Sequence, residues 1–176
     1  MNQREDYRKA YRGSLCSCRE APVLNLLFQV REEWYALDVK HVVEVLPLVK
    51  FKRVVHAPAG LLGVFNYHGS AVPLIDVGEL IAGTRTVEKM STRIILAYCS
   101  KDFGGAFHLG LMVEELMDTL RRTEADFIDS GTAVATSPRF GSITLDRERI
   151  IHRVEVRGLI SGALYEHLFP KSAVSL

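Results

Sequence analysis

Cysteine is scarce in this 176-residue chain, with only Cys16, Cys18 and Cys99. An odd count with two of them one residue apart excludes a disulfide framework. The same set lacks the Cys-x2-Cys pairs or histidine couple that a structural zinc site needs. Two thiols in a polar arm and one in a strand is the plain reading. Long apolar runs are absent too: no stretch approaches the roughly 18 uninterrupted residues of a membrane span. The opening residues "MNQREDYRKAYRG" carry charge where a secretory signal needs an apolar segment, so a cytoplasmic, soluble protein is expected. Net charge is nearly absent at +1, which leaves no global field to recruit nucleic acid or an anionic surface. No H-E-x-x-H or comparable spacing links the six histidines, and no nucleophile, base and orienting group can be assembled. No cofactor or metal is expected.

What remains is ordinary for a globular domain, 48% apolar and 24% charged, with room for one domain or two small lobes on a shared core. Residues 1–20 are polar and without apolar period, and read as a flexible arm. Residues 21–170 read as the folded unit and 171–176 as a tail. "VLNLLFQV" (23–30) and "EEWYALD" (32–38) form a strand pair turning near Arg31. "VKHVVEVLPLV" (39–49) reads as one helical turn feeding a strand that stops or bulges at Pro47. "LLGVFNY" (61–67), a turn at Gly69 and "AVPLID" (71–76) make a hairpin. Pro73 cannot donate to a ladder, so an edge strand or a bulge is expected there. Asp76 suits the N-cap of the short helix "VGELIAG", closed by Gly83. "TRIILAYC" (92–99) and "AFHLGLMV" (106–113) are strands, "EELMDTLRR" (114–122) is ambiguous, and 123–141 is turn-rich with mobility expected. "SITLDRERIIHRVEV" (142–156) has hairpin texture, and "GLISGALYEHLF" ends as a short amphipathic helix. Many short strands with brief helices argue a mainly β architecture of barrels. A weak duplication of layout between the two halves supports two lobes.

His68 and Asp76 stand eight residues apart across the hairpin, close enough to suggest an active site, but neither a nucleophile nor a metal set accompanies them. Asp76 as a cap and His68 as an exposed tip is the simpler reading. Glu44 alternates with Val43 and Val45, so it faces solvent if they face the core. Lys50, Lys52 and Arg53 form a small basic run, more simply a solvated strand face. Leu109, Leu111 and Val113 alternate into a core, which leaves Met112 pointing the other way as part of an exposed apolar face.

The linked set Val42-x-Glu44-Val45, Ala57-Pro58, Gly63-Val64-x-Asn66, Gly69, Pro73 and Asp76 resembles the CheW-like family of adaptor domains, closely over residues 24–122 and loosely beyond. The resemblance implies two five-stranded, SH3-like β-barrel lobes on one core, without catalytic activity. It implies coupling of a chemoreceptor's cytoplasmic tip to a CheA-type histidine kinase, through Val42, Glu44, Val45, Gly63, Asn66, His68, Met112 and Glu114. Pro58, Gly69, Pro73 and Asp76 would be structural, and the resemblance also implies that Val64, Val72 and Ile75 of the hairpin are buried. His68 stands where the family usually carries arginine, exchanging a permanent charge and a bidentate donor for an imidazole. A specialised array with its own receptor and kinase follows as the expectation. Glu114 stands where the family tends to have aspartate. The rival is a nucleic-acid-binding barrel that uses Lys50, Lys52 and Arg53 with Phe51 and Tyr67 as a stacking platform.

Overall fold

A computed structural model describes residues 21–99, 106–129, 140–160 and 162–168. The N-terminal arm with Cys16 and Cys18, the C-terminal tail and most of the turn-rich stretch after Asp129 lie outside the described residues. Among the described residues, twelve strands, three α-helices and two 3-10 turns make the fold mainly β.

The strands follow the turn chemistry of the sequence. β1 (Val23–Val30) and β2 (Glu33–Asp38) pair across a tight turn in which Arg31 takes φ 60°. Asp38 then caps a single 3-10 turn, Val39–His41, its Oδ1 accepting from the Lys40 amide at 2.9 Å. β3 (Val42–Pro47) ends on its proline, and β4 is the short Lys52–Arg53. Pro58 opens the turn into β5 (Leu61–Tyr67), its carbonyl accepting from the Leu61 amide at 3.1 Å, with Gly60 at φ 88°. β6 (Ser70–Asp76) returns from the tip and runs into helix α1 (Val77–Ala82), which Gly83 closes at φ 69°. β7 (Arg93–Cys99), β8 (Phe107–Val113) and β9 (Glu115–Arg122) follow, so the ambiguous 114–122 segment is strand. β10 (Ile128–Asp129), β11 (Phe140–Asp146), β12 (Arg149–Val154) and helices α2 (Val156–Leu159) and α3 (Gly162–Leu168) complete the chain.

Two six-stranded sheets result, ordered β10-β11-β12-β2-β1-β9 and β3-β7-β8-β6-β5-β4. Each order ends on strands with one partner, so neither ladder closes among the described residues, and six strands replace the five expected per lobe. The sheets do not divide the chain into halves either. β1 and β2 join β9 to β12, with β3 to β8 as a block between them, and the apparent duplication does not describe this nesting. Each sheet is mixed, since β2 runs parallel to β12 and β6 parallel to β8.

One core lies between the sheets. Leu26, Phe28 and Leu37 from the first meet Ile75, Ile95, Leu109, Leu111 and Val113 from the second. Each sheet also curls over a smaller cluster of its own: Leu62, Phe65, Leu74, Ile94, Leu96 and Met112 in the second, Leu27, Ala36 and Ile151 in the first. The second sheet is therefore apolar on both faces. Met112 is 1% exposed, and the outward apolar face expected around it does not exist there. Of the two readings for Pro73, the edge strand is corrected, since β6 sits inside the sheet, while the irregularity appears as a register shift of the β5–β6 ladder between Leu61 and Gly63. The ladder to β8 begins only at Leu74, so the missing amide of Pro73 falls just outside it. Val72 and Ile75 are buried as expected, while Val64 is only half-buried.

Candidate interaction surface

Asp76 does more than end the hairpin. It is fully buried, and its carboxylate accepts from the Glu79 amide (3.1 Å), the Thr86 amide (2.9 Å) and the Thr86 hydroxyl (2.6 Å). The cap thus also anchors the connector after α1, and it lies at the far end of β6 from His68, so the two form no pair.

The tip itself is a two-residue turn in which His68 (φ 49°) and Gly69 (φ 87°) both adopt left-handed backbone. Asn66 Oδ1 accepts from the Gly69 amide at 2.8 Å and fixes the turn from within. His68 is exposed and meets the Tyr67 ring edge-on, centroids 4.4 Å apart. The Tyr67 hydroxyl reaches across to β3 and donates to Glu44 Oε2 at 2.8 Å. That hydrogen bond to a carboxylate raises the pKa of the phenol above its ordinary value. His108, at the start of β8, lies 6.1 Å from the Tyr67 ring and 5.8 Å from Tyr98. Val43 (47% exposed) and Tyr98 (43% exposed) belong to the same end of the sheet.

This arrangement sorts the residues singled out in the sequence. Glu44 and His68 are exposed and come together through Tyr67, with Asn66 holding the turn behind them. Val42 and Val45 do not join them, being half-buried against the shared core. A bulge between Val42 and Glu44 breaks the alternation and turns Val43 outward instead. Gly63 is buried, and a Cβ there would sit 2.2 Å from the Lys52 carbonyl oxygen, so its role is the close approach of β4 and not recognition. Met112 is core. Glu114 lies at the opposite end of the sheet, where its carboxylate accepts from the Arg31 amide at 3.3 Å and faces Arg31 Nε at 4.0 Å, tying down the β1–β2 turn.

Sequence reasoning missed Val43, Tyr98 and His108, and gave Tyr67 a place only in the nucleic-acid alternative. The available signal was register: Tyr67 directly precedes the tip, and Tyr98 and His108 are cross-strand partners. Phe51 is half-buried on the second sheet's own cluster, with the Arg53 guanidinium 5.3 Å from its ring centroid, so it is not an open stacking platform. Burial pushes the Cys99 thiol up to about 11, which keeps it protonated at neutral pH. Beside Tyr98 a cavity of about 270 Å³ opens between the sheets, lined by Asp38, Lys40, His41 and Arg153 among others. Two of its cations are paired: Lys40 Nζ lies 2.7 Å from Asp38 Oδ2, and Arg153 donates to Glu124. Among the described residues no group of three or more His, Cys, Asp or Glu side chains can hold a metal. No described helix is long and apolar enough to cross a membrane.

A family model described as the CheW-like domain matches residues 25–163. The chemotaxis protein CheW of Helicobacter pylori (strain ATCC 700392 / 26695) is 24% identical over 122 residues, covering 69% of this chain and 71% of that protein. The crystal structure of scaffolding protein TtCheW from Thermoanaerobacter tengcongensis matches with a TM-score of 0.70 and 21% identity, covering 82% of this chain and 92% of that one. At that identity the structural likeness speaks for the fold, and the fold agrees with the family model, which spans well over half of the sequence. The chain belongs to the CheW-like domain family.

Proposed function

We propose that this chain is a non-enzymatic cytoplasmic adaptor that couples the tip of a chemoreceptor to a CheA-type histidine kinase. Residues 21–170 act as one CheW-like unit, with each sheet serving as an SH3-like lobe, residues 1–20 as an arm and 171–176 as a tail. The observation that carries the reading is the exposed Glu44–Tyr67–His68 constellation, built on the segments whose sequence resembles the family most closely. Membership of a family of chemotaxis scaffolds supports the partner class. Contacts of this kind are small in area and individually weak, and gain strength from many copies in an array. The nucleic-acid alternative loses its platform, because Phe51 is packed and the Tyr67 hydroxyl is engaged by Glu44.

Isothermal titration against a receptor-tip fragment and a CheA-type kinase from the same organism tests this. Glu44→Ala should weaken receptor binding while leaving the melting temperature nearly unchanged, because an exposed charge contributes little to stability. His68→Arg should fold normally, since arginine already occupies left-handed backbone at Arg31 and Arg147, and should change which partner binds. Unaltered binding of both partners by both variants refutes the proposal.

A further inference from the structure

Strands β3 and β5 stand first and fifth in their sheet, with β7, β8 and β6 between them, so no ladder bond holds one to the other. The Tyr67 hydroxyl spans that seam to Glu44 at 2.8 Å, while the Tyr67 ring carries the edge of His68 at 4.4 Å. One side chain therefore contacts both groups that the surface presents, from two strands that no ladder bond joins directly. We infer that Tyr67 is a positioning residue for recognition, fastening the hairpin tip to the edge strand so that Glu44 and His68 meet a partner as one pre-ordered unit.

The inference rests on the adaptor reading and adds the device that sets the geometry of its surface. Glu44 sits on a bulged edge strand beside solvent, where a free carboxylate would sample several rotamers and lose that freedom on binding. A carboxylate that accepts one phenol proton keeps lone pairs for a second donor. The matching partner surface is thus a basic or amide donor set beside an aliphatic group that covers Val43, which is 47% exposed. Tyr67 needs no contact with the partner to act in this way. The elevated phenol pKa reports the same bond from its other end.

Tyr67→Phe deletes the hydroxyl and keeps the ring, so the sheet and the His68 contact survive. Titrated against the receptor-tip fragment, Tyr67→Phe should weaken binding about two- to tenfold, the cost of ordering one freed side chain. In a Glu44→Ala background it should have no further effect. Phenol titration by ring-labelled NMR should move back toward the ordinary tyrosine value in Glu44→Gln, which checks that the bond forms in solution, while the loss of binding in Tyr67→Phe with an unchanged melting temperature separates positioning from a structural role. If Glu44→Ala weakens binding but Tyr67→Phe does not, or acts in full in both backgrounds, the positioning role is overturned while the adaptor reading stands. If Glu44→Ala and His68→Arg both leave binding intact, the adaptor surface is wrong and the positioning role falls with it.

Discussion

Replacing Asp76 with alanine removes one buried acceptor group that serves three donors. The Glu79 amide loses its helix cap, and a lost N-cap costs about 1 kcal/mol. The Thr86 amide and hydroxyl lose their partner inside the protein, and a buried donor left unsatisfied costs about 1–3 kcal/mol. Allowing for hydroxyl rotation and for water entering the vacated volume, the total is about 3–5 kcal/mol, several times the effect of a cap alone. For a domain of this size that is a fall in Tm of roughly 6–20 °C. Urea titration followed by tryptophan fluorescence, with thermal melts alongside, measures it. Thr86→Val in the Asp76→Ala background should recover part of the loss, because it removes one orphaned donor. A loss of 1 kcal/mol or less, or no recovery in the double variant, would show that Asp76 is a cap and nothing more.

Met112→Ala should cost about 2–5 kcal/mol by opening a cavity in the second sheet's cluster. Equilibrium denaturation reads that loss, and a stable variant defective only in kinase binding would restore the recognition role that burial denies it. Asp38 gives a pH test. Burial raises its carboxyl pKa, but hydrogen bonds and the charge of Lys40 outweigh that and hold it below the usual 3.8. A depressed folded-state pKa contributes stability that is present above the unfolded value and lost as pH falls through the folded one. The acid limb of a stability–pH profile should therefore flatten in Asp38→Asn, and an unchanged limb counts against the Asp38–Lys40 pairing as its source.

Local structure was legible wherever one residue dictates the backbone. Gly69 marked the tip, Asp76 and Gly83 bracketed α1, and Pro47 ended β3. Alternation placed Leu109, Leu111 and Val113 in the core for the same reason: a strand has period two. Misreadings arose where tertiary packing decides. Met112 was expected outside because one covered face per sheet was assumed, whereas this sheet curls over a second cluster. Val43 points outward because a bulge, invisible in composition, shifts the register at Glu44. Gly63 matched a family motif, but only the approach of the Lys52 carbonyl shows why glycine is needed there. The nesting of β3 to β8 between β2 and β9 depends on long-range pairing that no local signal carries. In the candidate site, Glu44 and His68 were legible from the motif. Their joining through Tyr67 was not, since that contact spans strands 23 residues apart.

Co-sedimentation measures directly whether this chain bridges receptor and kinase. Receptor-tip fragments from the same organism are templated on vesicles and mixed with its CheA-type kinase, with and without the purified chain. The kinase should pellet with the vesicles only when the chain is present, and Glu44→Ala should reduce the pelleted fraction. Kinase that pellets equally without the chain, or stays in the supernatant with it, refutes the bridging role.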